Sequence, residues 1–293
     1  MTRLLIAAMW LLHWLPYRWQ AALGNILGTV LFLVVVPRRR VILRNLALCF
    51  PHLSEAERCA LGSEHVRLWV RTFLDRGLLW FAPRERLEHL IKIEGLEYFE
   101  AARSNQTGRA WMIFAPHFVG LDAAGIAVIL RQRAASVYVQ PTNPVFERQM
   151  LAGRARFEGS EQFSRSDGIR PVVKVMKRGL PFFIMPDMDL GKQDSVFVDF
   201  FRVPAATVTA LPRLARLTDA VVLPVIVRLN DDNTGYTVRF YPPWTDYPGQ
   251  MDDQAGARAM NAFIEDRVRE MPAQYYWVHR RFKTRPEGTP KIY

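Results

Sequence analysis

Arg109-Ala-Trp-Met-Ile-Phe-Ala115, followed at once by Pro116-His117-Phe118-Val119-Gly120-Leu121-Asp122, is the stretch that decides the fold of this chain. Residues 109–115 are few, apolar and rich in aromatics, the pattern of a buried strand. Residues 119–131 then carry apolar side chains at helical spacing, with Gly120, Ala123, Ala124 and Gly125 permitting close packing. A strand, a turn and a helix in that order put His117 at the carboxyl end of a strand, where open α/β sheets place their ligands. Side chains five apart do not align on a continuous helix, because positions three and four apart are the neighbours. His117 and Asp122 therefore meet only if the histidine sits on the turn and the aspartate reaches back from the first turns of the helix. In one reading they form a dyad, with Asp122 fixing the tautomer so that the other ring nitrogen takes a proton. In the other, His117 is a lone imidazole bonding backbone at a strand end. So short a motif leaves both open.

Working outward, strands and helices alternate: helix 119–131, strand 135–140, helix 144–156, helix 168–178, strand 181–186, helix 207–217 and strand 220–228. Residues 236–241 read as an edge strand and 252–270 as a final amphipathic helix. This rhythm predicts an α/β fold, a mixed sheet flanked by helices. Upstream, Ser54-Glu-Ala-Glu57 has the form of a capping box opening a helix that runs to about Leu79. The expected division is a hydrophobic membrane anchor over 1–40 and an α/β domain over 41–293, of which 41–90 is a helical, membrane-proximal segment.

With 293 residues and 50% hydrophobic content the chain can bury a large core. It carries 39 Lys and Arg against 28 Asp and Glu, a formal net charge of +11, which points to an anionic partner. The basic residues are spread along the chain rather than set in one stripe beside stacking aromatics, which disfavours nucleic acid. Cys49 and Cys59 are the only cysteines, and with no CxxC pair or histidine cluster neither a disulfide framework nor a metal site is expected. A reducing, cytosol-facing location fits. Residues 4–15 are apolar but short. Residues 19–36 are about long enough to cross a bilayer, which takes roughly 17–25 residues. Arg38-Arg39-Arg40 follows as a cytoplasmic-side flank, and Trp10, Trp14, Tyr17 and Trp19 cluster as an interfacial belt does. The segment reads as a retained anchor, spanning or lying in one leaflet; the competing reading is a buried helical hairpin.

Three further clusters fall where strand ends and helix starts converge. Ser164-Arg165-Ser166-Asp167-Gly168-Ile169-Arg170-Pro171 precedes a helix, and Arg165 and Arg170 flank its start as a cradle for phosphate or as solvated charges. Phe182-Phe-Ile-Met-Pro-Asp187-Met-Asp189 is an apolar strand ending in two carboxylates. Asp187 and Asp189 could bind a metal, orient Arg165 or Arg170, or cap a turn; with no other ligands nearby they are expected to orient the arginines and bind substrate rather than metal. Residues 196–207 read as a long aromatic loop, packed or lining an acyl-chain groove, before a helix capped by Thr207.

These clusters, in this order and over nearly the whole chain, resemble the late acyltransferases of lipid A biosynthesis, the lauroyl/myristoyl branch of the HxxxxD lysophospholipid acyltransferase superfamily. The resemblance rests on Arg44-Asn45-Leu46-Ala47-Leu48-Cys49-Phe50-Pro51, on His117 to Asp122, and on Arg165 to Lys174. It continues through Pro186 to Asp189, Val203 to Thr207 and Trp277 to Lys283. The chain departs from the pattern at Met188, where a Gln is expected, and at Arg202, where a Gly is expected; both bear on the acyl groove or the acceptor fit. The resemblance implies a membrane-bound enzyme on the cytoplasmic face of the bacterial inner membrane. It would move a fatty acyl chain from acyl carrier protein to a hydroxyacyl chain of a Kdo-bearing lipid A precursor. His117 would be general base, Asp122 its support, and Arg165 and Arg170 the phosphate contacts. No cofactor is implied beyond the phosphopantetheine carried by the donor. Another lyso-lipid acceptor (lyso-ornithine lipid or a lysophospholipid) and a non-catalytic membrane protein that binds lipid or acyl carrier protein are the alternatives. The basic tail from His279 to Arg285 is expected to sit at the membrane surface.

Overall fold

The computed structural model describes residues 1–104 and 108–293. Five helices come first: α1 (Thr2–Leu12), α2 (Tyr17–Val34), α3 (Val36–Cys49), α4 (Glu55–Phe81) and α5 (Arg84–Leu90). Next come β1 (Ile91–Glu94), α6 (Leu96–Arg103), β2 (Trp111–Phe114), α7 (Leu121–Ile129), β3 (Ala134–Tyr138), α8 (Pro144–Arg154) and β4 (Ser160–Ser164). The remainder is α9 (Arg170–Lys177), β5 (Phe182–Ile184), β6 (Ser195–Phe200), β7 (Val203–Val208), α10 (Ala210–Thr218), β8 (Val221–Leu229), β9 (Tyr236–Phe240) and α11 (Asp253–Glu270). Seven strands form one sheet in the order β1-β9-β8-β2-β5-β3-β4, and β6 and β7 form a separate hairpin. All neighbours in the large sheet are parallel except β8 and β9. Its middle strands are buried throughout, as covered parallel strands must be, and so read as apolar runs without alternation. The mixed α/β sheet flanked by helices is the expected one.

Three local expectations change. The strand near 236–241 is not at the edge: β9 lies between β8 and β1, and β1, only four residues long, takes the edge. The aromatic stretch 196–207 is a hairpin, not a loop. Its two-residue turn, Phe201-Arg202, has φ of 51° and 62°, the left-handed pair that such turns need. Arg202 thus occupies a position that favours glycine, the physical reason a glycine is expected there. Thr207 caps no helix: it lies in β7, its hydroxyl accepting from the buried Arg281 guanidinium, and α10 starts three residues later with Thr209 at its N-cap.

The capping box forms as read. Ser54 N–H donates to Glu57 Oε2 at 2.7 Å, and Glu57 N–H to Ser54 Oγ at 3.3 Å. It opens α4, the long helix on which the amino terminus packs. Here the anchor expectation is modified. Among the described residues no single helix is long and apolar enough to cross a membrane, and α2 and α3 have the length and composition of a span only together, bent by 92°. One face of α2, with Ala21, Gly24, Gly28 and Phe32, is buried. A Cβ on Gly28 would lie 2.5 Å from Arg67 Cα, and one on Gly24 2.9 Å from Arg71 Cα, so the two glycines set how closely α2 sits on α4. The other face carries Trp19, Ile26, Val30, Leu33 and Val34, all exposed, and Leu4, Leu11 and Trp14 are exposed around α1.

Candidate active site

The register of the parallel sheet builds the site. Phe114 at the end of β2 pairs with Ile184 at the end of β5. Three residues beyond each lie His117 and Asp187, so neighbouring strands deliver an imidazole and a carboxylate to the same place. Asp187 is buried, and each of its oxygens meets a donor. Oδ1 accepts from His117 Nδ1 at 2.6 Å. Oδ2 accepts His117 backbone N–H at 3.0 Å and the Tyr275 hydroxyl at 3.2 Å. Burial pushes the Asp187 carboxyl up, but the His117 ring and its N–H donors outweigh this and hold it below the usual carboxylate range. A charged carboxylate only accepts, so Nδ1 carries the proton. Nε2 is left with a free lone pair, and no described residue bonds it. The His117 side chain keeps 22% exposure, so that nitrogen is reachable.

His117 does have a buried carboxylate partner, but it is Asp187 and not Asp122. Asp122 sits in the first turn of α7, one element further on, and its oxygens bind Arg76 Nε at 2.8 Å and Arg154 at 3.5 Å. Burial raises its carboxyl and the two arginines more than offset that, holding it below the ordinary range. Asp187 and Asp189 touch neither Arg165 nor Arg170. Asp189 instead accepts from Thr284 N–H and Oγ1 at 2.6 and 2.7 Å, tying the carboxyl-terminal segment to the site. Arg165 and Arg170 are exposed at the carboxyl end of β4, the far edge strand, three strand spacings or about 14 Å from β2. The structure brings His117 and Asp187 together, and it does not bring the arginines to them.

The turn is packed from both sides. A Cβ on Gly120 would lie 2.9 Å from the Tyr236 ring, so glycine lets the turn settle on β9. On the other side, residues 274–276 run along it: Val119 N–H donates to Gln274 O at 2.8 Å and Tyr276 N–H to His117 O at 3.0 Å. The tail is therefore divided: Arg281 is buried beneath the turn, while Arg280 and Lys283 stay exposed. Arg281 is 1% exposed and donates to Ala206 O and Thr207 Oγ1. His279 Nε2 accepts Asp189 N–H at 2.9 Å, and burial followed by the charge of Arg281 pushes this imidazole down to about 4, so it stays neutral. Beside Asp122 a cavity of about 70 Å³ opens between α4, α7 and β5, its wall including Leu79, Trp80, Ile126, Ile129, Phe183 and Met185. Among the described residues no group of three or more His, Cys, Asp or Glu is arranged to hold a metal ion.

A tethered imidazole with a free nitrogen, at the carboxyl ends of parallel strands, can take a proton from a bound hydroxyl. The model of the bacterial lipid A biosynthesis acyltransferases matches residues 1–284. The lipid A biosynthesis lauroyltransferase of Escherichia coli K12 is 32% identical over 100% of this chain and 94% of its own length. The palmitoleoyltransferase of the same strain is 31% identical over 98% and 92%, and its myristoyltransferase 32% over 87% and 78%. The chain belongs to the bacterial lipid A biosynthesis acyltransferase family and is an acyltransferase.

Proposed function

We propose that this acyltransferase moves a fatty acyl chain from the phosphopantetheine thioester of acyl carrier protein to a hydroxyl on a hydroxyacyl chain of a Kdo-bearing lipid A precursor. The observation that carries the mechanism is the bond from His117 Nδ1 to the buried Asp187, which leaves Nε2 as base. Nε2 takes the hydroxyl proton as the acceptor oxygen attacks the thioester carbonyl. The C–O bond forms, the C–S bond breaks, and the imidazolium returns its proton to the departing thiolate. Asp187 supports the transient positive charge. The N–H groups of His117, Val119 and Leu121 are already bonded, which leaves Gly120 N–H as a backbone donor for the thioester oxygen.

The net charge of +11 favours an acidic carrier protein and a phosphorylated acceptor. Arg165 and Arg170 contact an acceptor phosphate away from the reacting centre. The outward apolar faces of α1 and α2 rest in the lipid surface of the inner membrane, with Arg38 to Arg40 at headgroup level on the cytoplasmic side. A helix apolar on both faces needs such a second neighbour.

The test is a transfer assay on detergent-solubilised protein, read by product mass. Acyl carrier protein charged with several chain lengths is the donor; the Kdo-bearing tetra-acylated precursor, a lysophospholipid and lyso-ornithine lipid are offered as separate acceptors. The proposal expects the precursor alone to gain one acyl group. Acylation of a lyso-lipid instead would move the acceptor assignment, and no transfer from any acyl carrier protein would refute the donor.

A further inference from the structure

The carboxyl-terminal strap does more than cover the catalytic turn: it reaches the carboxylate that holds the histidine. Gln274 clasps the end of β8, its Oε1 accepting Leu229 N–H at 2.8 Å and its Nε2 donating to Leu229 O at 3.0 Å. The next residue, Tyr275, is buried edge-on against Phe118 and Trp277 and donates its hydroxyl to Asp187 Oδ2. From outside, Asn45 of α3 buckles the strap down. Its Nδ2 donates to Trp277 O and His279 O, both at 2.8 Å, and Tyr293 OH donates to its Oδ1.

We propose that Tyr275 is a positioning residue whose hydroxyl fixes the rotamer of Asp187 and draws charge from Oδ2, and so sets the basicity of His117. The inference rests on the His117–Asp187 reading given under Proposed function. Its physical basis is the burial of Asp187: no water replaces a lost donor there, so each of the three donors governs how much negative charge faces the imidazole. Burial and the neighbouring carboxylate push the Tyr275 phenol well above its ordinary value, which keeps it a donor at every working pH. The other ionisable groups around the pair among the described residues are Asp189 after β5, Arg281, His279 and Tyr276 from the strap and Cys49 from α3, with Arg38, Arg76 and Asp122 flanking Tyr276.

With that donor removed, more negative charge faces His117, its protonated form is favoured, and the base is available only at higher pH. Tyr275→Phe keeps the ring and its aromatic contacts. In the full chain, kcat/KM measured from about pH 5 to about pH 9 should show the acid limb moved upward by about 1 pH unit. The plateau kcat should fall about 10-fold, with the donor KM unchanged. An acid limb left in place overturns the inference, whatever happens to the plateau, because a packing defect lowers rate without retitrating the base. Asp187→Asn, run alongside, separates the failures. Wild-type turnover in that variant removes the dyad itself; an inactive Asp187→Asn with an unmoved Tyr275→Phe profile removes only the role of Tyr275.

Discussion

Asp187→Asn changes one atom at the centre of the site, and the surrounding hydrogen bonds dictate how the new amide must sit. Oδ2 receives two donors, His117 N–H and Tyr275 OH, so the amide oxygen must take that side. The amide nitrogen then faces His117 Nδ1 across 2.6 Å, donor against donor. The imidazole escapes by carrying its proton on Nε2, and in that tautomer the nitrogen facing the acceptor has no lone pair to offer. Loss of a general base costs about 100- to 10,000-fold, or about 3–5 kcal/mol in the barrier. A forced wrong tautomer belongs at the upper end, as it does in serine-protease triads, where the same exchange costs about 10,000-fold. The assay is steady-state transfer of acyl groups by product mass, with thermal unfolding as a control on the fold. kcat should fall by at least about 1,000-fold while KM for the donor stays within about 2-fold. A variant retaining more than about a tenth of wild-type kcat would refute the tautomer argument.

Asp122→Asn should behave differently: with Arg76 and Arg154 released, it should raise KM and leave the acid limb of the pH profile where it is. A shifted limb would show Asp122 acting on the histidine after all. Its stability cost should stay at about 1 kcal/mol, since all three side chains are partly solvated. Arg202→Gly should raise stability by about 1 kcal/mol in thermal melts by removing a side chain from a turn position at φ 62°; a loss of stability would mean the arginine makes contacts worth more than that strain. His65 is fully buried, its Nδ1 bonds Ala273 O at 2.9 Å, and burial depresses it to about 4 from the ordinary 6.5. The unfolded chain therefore takes up the proton first: the stability His65 contributes is full above pH 6.5 and is lost as pH falls towards about 4, a change of about 3 kcal/mol. The wild-type stability minus that of His65→Asn should fall by that amount over the window, and a constant difference would contradict the assignment.

The sheet was legible in the sequence because its central strands are continuous apolar runs and because Gly120 and Pro171 mark where helices begin. Lone local motifs misled where tertiary pairing decides. His117 and Asp122 are neighbours in sequence, yet the carboxylate that meets the imidazole comes from 70 residues away, brought by the Phe114–Ile184 register. His117 and Asp187 both fall within two residues of the ends of the predicted strands 109–115 and 181–186, but nothing local shows that those strands are neighbours. Arg76 and Arg154 gave no local signal, being ordinary arginines on amphipathic helices. The hairpin at 195–208 was hidden by its turn, which holds Phe201-Arg202 where Asn-Gly is the usual mark. In the basic tail only Arg281 departs from a surface reading: it is charged yet buried, and its carbonyl and hydroxyl partners lie on β7.

Whether His117 is the base of acyl transfer is read from His117→Ala assayed beside wild type. Both proteins, matched for thermal unfolding, receive charged acyl carrier protein and the Kdo-bearing tetra-acylated precursor, and product is followed by mass. Wild type should give a product one acyl group heavier, and the variant a rate at least about 100-fold lower. Comparable turnover from a folded His117→Ala would contradict that role.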